Sequence, residues 1–267
     1  MGDGTESRIR CELAEGVLRI TIARPERMNA LDDTAAQELI RVLTEDANDR
    51  QVRVVVLTGE GNAFCTGADI AAMAAAPPST PESADVLARR TMETAAELVR
   101  AIVHLPVPVI AAVNGPAVGL GVSLALASDL VYASADAYFL LAFTGVGLMP
   151  DGGASLLVAA AVGRARANAM VLMGERLDAH TALDFGLIND VASAAELDAR
   201  VTKVARRCAN GPRRALELTK NAMNAVTLAV LEDALRRESS GQRELLQAPD
   251  FATGIAAVLG GTRPRFE

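Results

Sequence analysis

PVIAAVNGPAVGLGVSLALASDLVYAS, residues 108–134, carries the plan of the fold. PVIAAVNG is a short apolar run stopped by Asn114, Gly115 and Pro116, which reads as a buried strand and a turn. GVSLALAS reads as a helix of small residues, and LVYAS as the next strand. Strand, glycine turn, helix and strand in that order imply an α/β core with parallel pairing. The interruptions at Pro108, Asn114, Pro116 and the glycines between them argue against a membrane span, although this is the most apolar tract of the chain.

The same grammar extends outward. RIRCELAEGVLRITIA (8–23) alternates around Glu15-Gly16 as a hairpin does, and TAAQELIRVLTEDAND (34–49) has helical spacing behind a capping Asp32-Asp33 pair. VRVVVLTG (52–59) is a second buried strand, and FCTGADI (64–70) a glycine loop turning into a short helix. AAAPPSTPES (74–83) is the one linker-like stretch, expected as a surface loop before a long helix over 84–104. AYFLL (137–141) is a further strand, and helices follow from Gly152 to about Met173. Beyond residue 193 the pattern is helical only, so the expected organisation is an α/β core over 1–193 and a helical region over 194–267.

Composition narrows the function. The chain has 267 residues, 51% of them apolar, enough for a substantial core. A formal charge of −7 with 3% aromatics offers neither the basic face nor the stacking platforms that nucleic acid requires. Cys11, Cys65 and Cys208 are odd in number and widely spaced, which disfavours a zinc site or a disulfide framework and suits a reducing cytosol. MGDGTESRIR at the start lacks the apolar stretch of a signal peptide, and Glu6 breaks the myristoylation pattern. A cytoplasmic protein without metal or membrane partner is the expectation.

Two glycine turns carry the chemistry. FCTGADI and NGPAVGLGVSL both run from a Val-rich strand through glycines into a helix start. The first amides of a helix lack internal partners and sit at the positive end of its dipole. Two such turns side by side aim two N–H groups at one oxygen, and losing one donor from such a site costs about 2.7–4 kcal/mol of barrier. A third feature is GLMPDGGAS (147–155), in which Asp151 ends an uncharged approach, AYFLLAFTGVGLMP. Asp before Gly-Gly suits a helix N-cap. Set against Phe139, Phe143, Val146, Leu148 and Met149, the same carboxylate would be desolvated, its pKa raised from about 3.9, and its strength as a base increased.

At these residues the chain resembles the crotonase (enoyl-CoA hydratase/isomerase) superfamily. The resemblance covers ARPERMNALD (23–32), AFCTGADI (63–70), the opening stretch, GVGLMPDGG (145–153), GERLDAHTALDFGLINDV (174–191) and DFATGIAAVLGGTRPRF (250–266). It implies a spiral of ββα units, a C-terminal helical trimerisation region, and a homotrimer or dimer of trimers. The implied substrate is an acyl-CoA thioester, CoA being part of the substrate and no other cofactor being needed. Its thioester oxyanion would be held by the amides of Ala68 and Leu120, and Leu120 replaces a usual glycine, which requires a negative φ there. Arg27, Ala30, Thr66, Gly67, Asp69, Ile70, Gly119, Ser123 and Phe143 match substrate-binding positions, Arg27 near the CoA phosphates.

The chain departs from the hydratases of that family at two places. Their two glutamates fall at Ser123 and Phe143, and neither residue can activate water. Moving a double bond asks for one base, and Asp151 matches the catalytic acid of Δ3,Δ2-enoyl-CoA isomerases. The expected reaction is therefore conversion of a 3-enoyl-CoA to the 2-enoyl isomer. A hydratase with a non-standard acid, or a silent acyl-CoA-binding scaffold, are the alternatives. GVSLA also nearly matches a nucleophile elbow, with Ser123, Asp151 and His180 in hydrolase order, but Ala125 stands where the second glycine belongs. His104 reads as a helix-end residue, and Asp69 as the cap of the short helix.

Overall fold

The computed structural model describes residues 7–266; residues 1–6, read above for leader and acylation signals, lie outside it. The chain opens as a hairpin, β1 (Ile9–Ala14) and β2 (Val17–Ile22), whose turn residue Glu15 takes a φ of +52° beside Gly16. β3 (Val54–Gly59) and β4 (Val109–Val113) add in parallel, followed by β6 (Leu130–Ser134) and β9 (Asp190–Ala192). The six-stranded sheet has the order β1-β2-β3-β4-β6-β9. Every residue of β3 and β4 is buried, as expected of strands covered on both faces. A second, three-stranded sheet joins β5 (Ala117–Val118), β7 (Tyr138–Leu140) and β8 (Leu177–Asp178).

The crossovers are helical. α1 (Asp33–Thr44) is capped by Asp32, whose side chain accepts the Ala35 N–H, and it turns Leu39, Ile40 and Leu43 into the core. α2 (Ile70–Ala75) is capped by Asp69 through the Ala72 N–H. α3 (Pro81–Val103) begins with a Thr80–Ser83 capping box, so the expected linker is shorter than it reads, its PES already helical. His104 closes that helix as its C-cap. α4 (Leu120–Ala127) follows β5 directly, and α5 (Ala154–Leu172) follows the Asp151 segment.

Among the described helices α5 is the one long and apolar enough to cross a bilayer. It breaks at Gly163 (φ +76°), carries Arg164 and Arg166, and packs Leu157, Val158 and Met170 into the core. The break and the two arginines interrupt the apolar run that a span requires. α6 (Ala179–Asp184) carries His180 on its exposed side.

The C-terminal helices are α7 (Ala194–Ala209), α8 (Arg213–Thr227), α9 (Leu231–Leu245) and α10 (Pro249–Leu259). α7 covers one face of the main sheet, burying Leu197, Val201 and Ala205 against Val54, Val56 and Ile110. α8 is fastened by the buried Lys220, which pairs with Asp129 at 2.8 Å and donates to the carbonyls of Ile102 and Val107. α9 lies along α3, joined by Arg100–Glu232 and Arg243–Asp85 ion pairs. α10 packs on α2 and on the turn at Thr144–Val146. α7, α9 and α10 are thus packed on the α/β core, and α8 is tied to it chiefly through Lys220.

Candidate active site

The two glycine turns touch. The Val118 N–H donates to the Cys65 carbonyl at 2.9 Å, and Cys65 bridges Ala117 in parallel. Gly67 sits between them with φ +85°; a Cβ there would lie 2.9 Å from the Val118 oxygen and 3.3 Å from the Leu120 nitrogen. No residue with a side chain fits that place, which keeps the two turns at backbone distance.

Each turn exposes one amide. Leu31 bridges Ala68 in parallel, donating to the Gly67 carbonyl at 2.8 Å and accepting from Asp69 N–H at 2.9 Å. A bridge of that kind uses the peptide groups on either side of Ala68, so the Ala68 N–H points the other way. Leu120 opens α4, so its N–H has no turn of helix before it. Neither amide makes a hydrogen bond among the described residues. Leu120 keeps out of the left-handed region because the preceding Gly119 takes it, at φ +55°.

Ala68 and Leu120 both line one cavity of about 800 Å³. Asp151, Arg27, Ala30, Thr66, Gly67 and Asp69 line it, as do Ile70, Gly119 and Phe143. The wall near Asp151 is apolar through Phe143, Val146 and Leu148, and α3 and α10 contribute Leu87, Met92 and Phe251. Two expected neighbours are elsewhere. Phe139 is fully buried in the core, and the Met149 sulfur fills the space that a side chain at Gly241 would take.

Ser123 is the expected site residue that the structure removes from the cavity. It is fully buried on α4, and its hydroxyl donates to the Asp151 carbonyl at 3.0 Å. It holds the segment carrying the acid and is not among the residues that line the cavity. The hydrolase arrangement fails on the same fact, since a nucleophile must be open to its substrate. Cys65, beneath the first turn, is also closed as a nucleophile, because burial pushes its thiol up to about 12.

Asp151 does not cap a helix. The N-cap of α5 is Gly153, and the N–H groups of Gly153 and Ser155 are taken by the carboxylate of Glu238 at 2.7 and 2.9 Å. With that task assigned to α9, the Asp151 carboxylate is left with one partner. Its Oδ2 accepts from Gln242 Nε2 at 3.2 Å, while Oδ1 is sealed from solvent with no hydrogen bond among the described residues. Burial pushes this carboxyl up to about 7; the Gln242 bond pulls against the rise and the nearby charge of Glu238 adds to it.

Asp69 behaves in the opposite way. Although burial works against it, hydrogen bonds from Arg27 and from the Ala72 N–H, with Arg24 behind them, bring it down to about 2. It is a fixed anion that seats Arg27 over the cavity at 2.7 Å. Glu238 and Gln242 carry no local sequence signal for their roles, since each acts more than eighty residues from its partner. One sign was available. Leu231, Leu235, Glu238 and Gln242 form the buried stripe of α9 at 4-3-4 spacing, so two polar residues occupy positions where a core stripe wants apolar ones.

Paired free amides at the starts of two helical turns, with a desolvated carboxylate in the same cavity, are the equipment that oxyanion stabilisation and proton transfer call for. Comparison with known proteins gives the family. The profile described as "Enoyl-CoA hydratase/isomerase" matches residues 12–267, and the chain belongs to that family. It is 34% identical over 258 residues to the 1,2-epoxyphenylacetyl-CoA isomerase of Escherichia coli K12, covering 97% of both chains. It is 38% identical over the same length to a probable enoyl-CoA hydratase of Rhodobacter capsulatus, again covering 97% of each. A crystal structure of an enoyl-CoA hydratase from Mycobacterium avium subsp. paratuberculosis K-10 superimposes with a TM-score of 0.88 at 44% identity, over 97% of this chain and 98% of that one. The fold is the crotonase fold, and the substrates of the family are acyl-CoA thioesters.

Proposed function

We propose that the chain moves the double bond of a 3-enoyl-CoA thioester to position 2. The observation that carries this reading is the Asp151 carboxylate: desolvated, half-partnered, and in the same cavity as two free amides. The thioester oxygen accepts from the N–H groups of Ala68 and Leu120, which stabilises the dienolate formed when Asp151 takes a proton from carbon 2. The protonated Asp151 then returns that proton to carbon 4, and the double bond ends in conjugation with the carbonyl. The balance closes without a second acid, a metal or a redox cofactor.

Hydration needs more. Water must be activated and a proton delivered to carbon 2. Ser123 is buried, Phe143 is apolar, and Glu238, the other carboxylate near Asp151, is committed to the start of α5. The relatives carry names of both kinds, so the discrimination rests on these side chains. We also propose a homotrimer or dimer of trimers, supported by the exposed apolar residues Leu218, Met223 and Val226 of α8. Incubation with 3-enoyl-CoA, followed at the absorbance of the conjugated 2-enoyl thioester, tests the activity. Hydration of 2-enoyl-CoA as fast as isomerisation, or no turnover of 3-enoyl-CoA, overturns it.

A further inference from the structure

We propose that Gln242 is the positioning residue of Asp151: from α9 its side-chain amide holds both the backbone leading to the acid and one oxygen of the acid itself. The inference rests on the reading of Asp151 as the base and adds the group that aims it. Gln242 Oε1 accepts the Met149 N–H at 3.0 Å, and Nε2 donates to Asp151 Oδ2 at 3.2 Å. The residue is fully buried in the protein interior and borders the cavity.

The two contacts fix the orientation of the amide. Turned over, Nε2 would face the Met149 N–H and Oε1 would face the carboxylate, a donor against a donor and an acceptor against an acceptor. An amide supplies both an acceptor and a donor from one rigid plane without titrating. Met, of similar length, loses both, and Glu loses the donor whenever it is ionised. The segment between these contacts is held from its other side by Ser123, whose hydroxyl takes the Asp151 carbonyl. Backbone and one carboxylate oxygen are therefore both tied, and Oδ1 has no hydrogen-bond partner among the described residues.

α9 is well placed to act as the support. It is pinned to α3 by two ion pairs, and its buried stripe ends in Glu238 and Gln242, one turn apart. The charged group that bears on Asp151 is Glu238, from the same helix; the contact from α4 is the neutral Ser123. A donor to the carboxylate stabilises its charged form, so Gln242 holds the base down toward neutral pH where the apolar wall alone would carry it higher.

The test is the pH dependence of two variants, Gln242→Met and Gln242→Glu, in the intact chain. In Gln242→Met the acid limb of kcat/KM for 3-enoyl-CoA should move up by about one to two pH units, the effect of losing a hydrogen bond to a charged group. Gln242→Glu keeps an acceptor for Met149 N–H and places a second carboxyl against Asp151, so the pair should titrate in two separated steps and the single acid limb should split. That variant also serves if Gln242→Met does not fold. The titration of Asp151 is read separately, without turnover, as the pH dependence of unfolding in each background minus that of the same background with Asp151→Asn. A limb and a titration that both stay in place while stability falls would overturn the proposal and leave Gln242 as a mere strut for Met149. If Asp151→Asn itself retains turnover, the assignment of the base fails, and the shift of the Asp151 titration still decides whether Gln242 positions it.

Discussion

Glu238 accepts the Gly153 N–H at 2.7 Å, so the start of α5 is capped by a side chain of α9 and not by Asp151, two residues upstream. The carboxylate closest in sequence to the helix is thereby free for chemistry. The carboxylate that stabilises the helix is brought from eighty-five residues away.

Replacing Glu238 by Ala should leave the buried Gly153 amide without a partner and take from Ser155 its side-chain acceptor. Loss of about 1–3 kcal/mol of stability is expected, read as a lower midpoint in urea unfolding at unchanged slope. A loss below about 0.5 kcal/mol would mean that water replaces the cap.

Asp151→Asn should lower turnover of 3-enoyl-CoA by about 10²–10⁴-fold, the usual worth of a general base. Product binding should change little, since the amides of Ala68 and Leu120 remain. Unchanged turnover would return Asp151 to a structural role.

The same variant should be more stable than the parent at alkaline pH. The native carboxyl is held up at about 7 by burial, against a model-peptide value near 4, so the native chain keeps a proton that the unfolded chain has released. The contribution is full below about pH 4, declines as pH rises, and is lost above about pH 7, a span of roughly 4 kcal/mol. Asn does not titrate, so unfolding free energies of the two chains should diverge from pH 5 to pH 8 in favour of Asn. Parallel curves would sink this account.

Activity should follow the complementary course. The base works only when ionised, so kcat/KM should rise tenfold per pH unit below about 7 and level off above it. A profile flat from pH 5 to pH 8 would exclude Asp151 as the group that titrates.

Gly67→Ala should injure catalysis more than its size suggests. The position has φ +85°, and the new methyl would press on the Val118 carbonyl and the Leu120 amide. Separating the turns disarms one donor, for which a fall of about 10²–10³-fold in kcat is expected, with a smaller change in KM. Wild-type kcat in this variant would show that the two amides do not act as a pair.

Light scattering on the intact chain at micromolar concentration should return the mass of a trimer or hexamer. A monodisperse monomer would count against the assembly inferred from the exposed face of α8.

The strands, the crossover helices and both glycine turns were legible because each is written in local periodicity or in residues with special backbone freedom, as Gly67 and Gly119 show. Asp151 was legible as a candidate but open between cap and base. What removes the cap is Glu238, whose bonds span a separation that no local pattern encodes. Ser123 was placed in the cavity because motif position gives the turn of helix but not the direction of a small side chain, which points to the Asp151 carbonyl. Gln242 was invisible for a further reason: within the polar run RRESSGQRE nothing distinguishes it from a solvated residue except its phase with Leu231 and Leu235.

A carboxylate set into an apolar wall is a liability in the folded chain and an asset only when substrate is present. Replacement at residue 151 should therefore be among the easiest ways to make this protein tougher. Selection for heat resistance alone, as in a directed-evolution campaign run without an activity assay, would enrich such replacements and return robust proteins that no longer turn over their substrate.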